Sequence, residues 1–185
     1  DGASWTEFRN EARSDNEVRF AARWDEARLY FGFEVTDGSI ETDAARAHQN
    51  DGVELYLDPL HTRSTALDAD DFSAIVTATG MTTASGLEVG VSASASGYTM
   101  EVAITWSTLA VTPMEGYVLG LLVGNNDRDG GASAQFDWPG LIESGGYSRP
   151  HLWGDLLLVG TEPIDAGVVP GRDGGAPFGG SDAGT

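Results

Sequence analysis

Oxygen-bearing side chains recur at alternate positions in Asn125-Asn126-Asp127-Arg128-Asp129-Gly130-Gly131. Hard divalent cations are held by such Asp, Asn and backbone oxygens. Asn125, Asp127 and Asp129 are therefore candidate ligands for a structural calcium ion, although the segment lacks the helix-flanked spacing of an EF-hand. Asp68, Asp70 and Asp71 form a second acidic group, for which an Asx-rich turn is the plain alternative. Catalytic patterns are missing. The three histidines stand apart at 48, 61 and 151, with no His-Glu-x-x-His and no Gly-x-Ser-x-Gly elbow. Without cysteine there is no thiol nucleophile, thiolate metal site or disulfide. Paired carboxylates are common in a chain with 29 acids, so they do not argue for glycosidase chemistry.

The elements that position these groups alternate with period two. In residues 28–36, Leu29, Phe31, Phe33 and Val35 point one way, and Tyr30, Glu34 and Thr36 the other. In 52–58, Val53, Leu55 and Leu57 share a face, leaving Glu54, Tyr56 and Asp58 opposite. One wet and one dry face is the pattern of an antiparallel sheet. Further strands are expected at 18–24, 72–79, 87–95, 98–105, 117–124 and 154–159, about eight in all. Gly80, Gly86 and Gly97 punctuate them, and a single helical turn is expected at 106–109. The fold class that follows is all-β, a two-sheet antiparallel sandwich. Its expected interior is Phe20, Trp24, Phe31, Phe33, Val53, Leu55, Val102, Ile104, Leu121 and Val123. Trp106 reads as a further core anchor, whereas Trp5, Trp138 and Trp153 lie near loops and are each a candidate exposed platform.

With 185 residues, 41% of them apolar, and five tryptophans, the chain can fill one core. Residues 1–160 read as the domain. Residues 161–185 are a Gly/Asp/Ala/Pro tract that reads as a linker or tail, able to reach a neighbouring domain or protomer. A net charge of −19 repels phosphate backbones and anionic bilayers. Nucleic acid and membrane insertion are thus not expected; cations, neutral glycans and basic partners are. No apolar run reaches the length of a membrane span.

The order of motifs resembles the family 9 carbohydrate-binding modules and their DOMON-like relatives. The matching segments are Trp-Asp-x-x-x-Leu-Tyr (24–30), Asp-x-Val-Glu-Leu-Tyr-Leu-Asp (51–58) and Tyr-x-x-Glu-Val-Ala-Ile-x-Trp-x-x-Leu (98–109). They continue with Gly-Leu-Leu-Val-x-Asn-Asn-Asp (120–127) and Trp-Gly-Asp-Leu-x-Leu (153–158), so the likeness spans 17–159. It implies a β-sandwich without catalytic activity that tethers an enzyme or cell-surface protein to polysaccharide, and some members hold structural calcium. It also implies a site in which two aromatic rings clamp a sugar while carboxylate, amide and guanidinium groups bond its hydroxyls. Residue by residue, one ring position falls on His48, the other on Tyr147, and the carboxylate on Glu54. The basic position falls on Ser73 and the amide position on Ser144, both departures from the family pattern.

The expected ligand is a neutral polysaccharide or oligosaccharide, and the expected location is secreted or on a bacterial cell surface. The competing reading is an acidic sandwich that assembles or adheres at a surface without binding sugar. In that case His48 is a solvated loop residue, and Glu54 and Glu101 only keep a sheet face soluble. Haem ligation, known on the DOMON side, would need Met81, Met100 or Met114, and Met100 follows the core phase.

Overall fold

A computed structural model describes residues 4–9, 15–141 and 144–160. The tail at 161–185 lies outside the described residues. The order of elements is β1 (Thr6–Arg9), β2 (Glu17–Trp24), β3 (Arg28–Thr36), β4 (Gly52–Asp58), β5 (Phe72–Thr77), β6 (Leu87–Ser94), β7 (Gly97–Thr105), α1 (Trp106–Leu109), β8 (Val118–Asp129), β9 (Ala132–Trp138) and β10 (Gly154–Leu157). One antiparallel sheet runs β1-β2-β3-β7-β6; the other runs β10-β8-β4-β5, with β9 also on β8. The fold is the expected two-sheet sandwich.

Its interior follows from the alternation. Leu29, Phe31 and Phe33 of the first sheet meet Val53, Leu55 and Leu57 of the second, with Val102, Ile104, Leu121 and Val123, all essentially without solvent contact. Trp24 is only partly buried. It packs its ring edge-on against Trp106, at 6.4 Å between centroids, and donates from Nε1 to the Val159 carbonyl. The β2–β3 connection is as short as the strands expected at 18–24 and 28–36 imply. The Asp25 carboxylate accepts from the amides of Ala27 and Arg28 and closes the chain over residues 25–27. Gly97 is required at the start of β7, because its φ is +137° and a Cβ there would sit 1.9 Å from the Val35 carbonyl oxygen.

Two elements differ from the reading of the sequence. β8 does not stop where its apolar run ends; it continues through Asn125, Asn126 and Asp127 to Asp129. β9 pairs with that polar half, Gln135 opposite Asn126 and Asp137 opposite Gly124. The first half of β8 pairs with β10 instead. A strand half whose inward positions are Asn and Asp has no hydrophobic alternation to mark it.

The register makes Leu55 central to the second sheet, between Ala74 and Val123. Leu55→Ala should lower the unfolding free energy by about 2–5 kcal/mol. Breaking the exposed Arg19–Glu34 pair with Glu34→Ala should lower it by less than about 1 kcal/mol. Urea midpoints at constant m compare the two, and equal shifts would contradict this core.

Candidate functional site

The outward face of β4 and β8 assembles a polar network around Glu54. By register, Glu54 lies beside Gly124, Gly52 beside Asn126, and Tyr56 beside Leu122. Glu54 Oε1 accepts from Asn126 Nδ2 at 2.9 Å and from Gln135 Nε2 at 3.0 Å. Its Oε2 accepts from the Tyr56 hydroxyl at 2.8 Å. Gln135 also donates to Asn126 Oδ1 at 2.8 Å, so the amides hold each other as well as the carboxylate. Burial and the Glu54 charge push the Tyr56 phenol far above its ordinary range, which keeps it a donor. Glycine at 124 leaves room for this carboxylate, since a Cβ there would approach Glu54 Cβ to 3.1 Å.

Glu54 is therefore a floor group and not a rim group. It is 1% exposed, with three of a carboxylate's roughly four acceptor positions already taken. Tyr147 stands at the Tyr56 end of this network. Its ring centroid is 6.4 Å from that of Tyr56, and Trp153 lies 5.9 Å from Tyr56 on its own side. Tyr147 keeps 45% of its surface exposed, whereas Trp153 is buried and donates from Nε1 to the Gly146 carbonyl. The loop bearing Tyr147 starts where the Asp137 carboxylate accepts from the Gly140 and Leu141 amides, and Gly146 N–H bonds back to the Leu141 carbonyl. Gly146 has no room for a side chain, as a Cβ would sit 2.2 Å from Leu141 Cβ.

His48 lies beyond the opposite end of β4, half-buried in the 3-10 turn Ala47–Gln49. That turn is fixed by Asn50, whose side chain bonds Ala44 and Arg46, and by the Gln49 carbonyl, which accepts from Arg128 Nη1 and Ser133 Oγ. The structure thus links Tyr147 to Glu54 through Tyr56 and sets His48 at the far end of the same strand. Ser73 is exposed on the same outward face, opposite Tyr56. Ser144 is exposed in the Tyr147 loop, and its carbonyl accepts from the Arg149 guanidinium. The sequence reading put Tyr56 on the outward face with Glu54 and missed Asn126 and Gln135, which reach Glu54 only through the β4–β8–β9 register.

A second cluster lies between the sheets, at the end of the sandwich. Continuing the inward phase of β3, β4 and β8 by one pleat leads to Asp37, Asp51 and Asp127, whose carboxylate oxygens lie within 4.8 Å of one another. Asp51 Oδ1 accepts from the Arg128 amide at 2.6 Å, and Oδ2 from the Glu41 amide. Asp37 Oδ1 accepts from the Ser39 amide at 2.7 Å, while its Oδ2 is buried without a hydrogen-bond partner. Burial raises Asp37 to about 6, assisted by the charges of Asp127, Asp129 and Asp15. Burial likewise raises Asp51 to about 7 against its two amide bonds, with Asp37 and Asp127 adding to the rise. Burial, and then the charges of the same three carboxylates, hold the Tyr98 phenol well above its ordinary range.

Oxygen donors only, an orphaned carboxylate oxygen and mutual repulsion fit a hard divalent cation. Of the ligands expected from sequence, Asp127 belongs to this trio. Asn125 faces the same interior but donates to Asn16 and receives a long 3.5 Å contact from the Tyr98 hydroxyl. Asp129 is half-buried one pleat further and acts on Asp37 through its charge. Asp68, Asp70 and Asp71 instead form an Asx turn, with the Asp68 amide on Asp71 and the Asp70 amide on Asp68.

Comparison with known proteins identifies the family and the fold. A family model for "Carbohydrate family 9 binding domain-like" proteins matches residues 3–161. Endo-1,4-beta-xylanase A of Thermoanaerobacterium saccharolyticum is 29% identical over 147 residues, covering 74% of this chain and 12% of the relative. Exoglucanase XynX of Acetivibrio thermocellus is 27% identical over 147 residues, covering 74% and 13%. The chain thus spans only a small part of these relatives. Among solved structures, a family 9 carbohydrate-binding module from Caldicellulosiruptor kristjanssonii in complex with cellotriose superposes with a TM-score of 0.76 at 24% identity, over 92% of this chain and 89% of that one. A glucose complex of such a module from the same organism gives 0.74 at 22%, over 87% and 86%. With a family match over nearly all of the described residues and the sandwich to go with it, this chain belongs to the family 9 carbohydrate-binding domains and is a non-catalytic module.

Proposed function

We propose that this module tethers a secreted or cell-surface protein to a neutral polysaccharide, gripping it on the outward face of β4 and β8. The observation that carries this is the pairing of an exposed ring, Tyr147, with the buried Glu54–Asn126–Gln135 network beneath the same face. An aromatic face covers the C–H side of a sugar ring, and Glu54, held by Asn126, Gln135 and Tyr56, keeps one acceptor position for a sugar hydroxyl. Similar modules have been seen with cellotriose and glucose, and the relatives are a xylanase and an exoglucanase, which supports β-glucan or xylan as ligand. The strong negative charge disfavours acidic polysaccharides. The site is open and wet, so affinity should fall in about the micromolar to millimolar range. The Gly/Asp-rich 161–185 tract would serve as spacer to the rest of the assembly.

Calcium is the cation that we place in this reading, held by Asp37, Asp51 and Asp127. Its chemistry there is structural: it would neutralise three buried carboxylates at the end of the core. The family resemblance motivates the ion, and the orphaned Asp37 oxygen supports it.

Tyr147→Ala should weaken binding to cello-oligosaccharides about tenfold or more, ~1.4 kcal/mol. Trp24→Phe should leave affinity unchanged and cost only stability. Calorimetry across cellulose, xylan and galactan fragments measures both, and silence of the native protein across the panel would leave the adhesive reading standing. Glu54→Gln places an amide donor among donors and should lower stability by about 1–3 kcal/mol as well as affinity. An urea midpoint unchanged from the native protein would remove Glu54 from the network. Calcium at about 100 times its Kd should raise the melting temperature by roughly 5–10 °C over chelated protein. A melting curve indifferent to chelator would refute the ion.

A further inference from the structure

The two clusters share their strands. Asp51 and Glu54 lie three residues apart at the start of β4, and Asn126 and Asp127 are neighbours in β8, where the pleat sends one to each face. Gly52, between the two β4 groups, is in register with Asn126, and the Arg128 amide bonds Asp51. The crossover 37–51 carries the other half of the linkage. It starts at Asp37, bonds Asp51 through Glu41, and wraps Arg128, which bonds Glu41, pairs with Asp43 and reaches the Gln49 carbonyl next to His48.

We propose that cation occupancy of the Asp37–Asp51–Asp127 trio and glycan binding on the opposite face of β4 and β8 are coupled, each raising the affinity for the other. The inference rests on the reading that this face binds glycan. Without a cation, three buried carboxylates within 4.8 Å repel one another, and opening of the 37–51 crossover relieves the repulsion. The same opening displaces the His48 turn and the first residues of β4, which hold Glu54 against Asn126. A bridging cation removes the reason to open. A glycan that recognises the closed arrangement gains by that amount, and by linkage the cation gains equally from the glycan.

The experiment has two arms on the whole chain, with circular dichroism recording the strand signal in each condition. In the first, cellohexaose is titrated calorimetrically into protein in calcium and in chelator. The coupling predicts affinity at least roughly fivefold weaker in chelator. In the second, terbium stands in for calcium, with emission sensitised by buried Tyr98, and its binding midpoint should tighten by the same factor in saturating cellohexaose. Asp37→Asn removes a cation ligand and one of the repelling charges together, so its affinity for cellohexaose should be the same in calcium and in chelator. Equal affinities in calcium and chelator, with terbium still bound, would overturn the coupling and leave the glycan reading intact. Absence of terbium or calcium binding would overturn the coupling as well. So would loss of the strand signal in chelator, because the cation would then be a requirement for folding and not a local coupler. No cellohexaose binding in any condition would overturn the proposed function and the coupling with it.

Discussion

The structure depends on a single geometric constraint, the pleat of the β4–β8 pair. Each of these strands must face two ways, and its successive residues therefore belong to different chemistries. Inward positions are Leu and Val through the middle of the sandwich, then Asn and Asp where the sheets end. Outward positions are Tyr56, Glu54 and Asn126, tied to each other and to Gln135 of β9. Both clusters are thus positioned by the same backbone ladder that packs the core. Precision at the polar groups is inherited from apolar packing, because Val53 and Leu55 hold the strand that carries Glu54.

Most of the fold could be read from the chain because its strands alternate cleanly. The inward sets of β3 and β4 were visible in 28–36 and 52–58, and the glycines at 80, 86 and 97 all adopt positive φ. The polar half of β8 could not be read, because its alternation is Asn and Asp against Asn and Arg and not apolar against polar. β9 does alternate, Ala132, Ala134, Phe136 and Trp138 against Ser133, Gln135 and Asp137, but its partner strand gave no signal to pair it with. At the site, Glu54 and Tyr147 were legible by resemblance and belong to one face. Their connecting group, Tyr56, was legible as a neighbour of Glu54 on the outward face, but its contact with the distant Tyr147 was not. The carboxylate trio was hidden by sequence distance, since Asp37, Asp51 and Asp127 meet only when three strand ends converge. Phase would have found them: each is two residues beyond an inward Val or Asn.

Net charge describes this molecule poorly until it is divided by place. Arg19 with Glu34, and Arg28 with Glu88, form exposed pairs on the first sheet that contribute little. Arg128 is different, since it is mostly covered and gathers Glu41, Asp43 and the Gln49 carbonyl into one knot. The charged groups that move Asp37 and Asp51 are all carboxylates. Acidity is diffuse over the surface and concentrated in one interior corner, and only the second of these shapes the chain's path.

Placing Asp51 and Glu54 three residues apart on one strand also has an evolutionary cost. An odd sequence separation between two groups on opposite faces leaves no room for a one-residue insertion or deletion between them. One residue added at Gly52 would turn the carboxylate of one site toward the other, and every inward side chain beyond it outward. The segment can drift by substitution but not by length. Ligand preference in such a domain is therefore free to change through its loops, at positions such as 48, 144 and 147, while the stretch 51–54 is inherited as a unit.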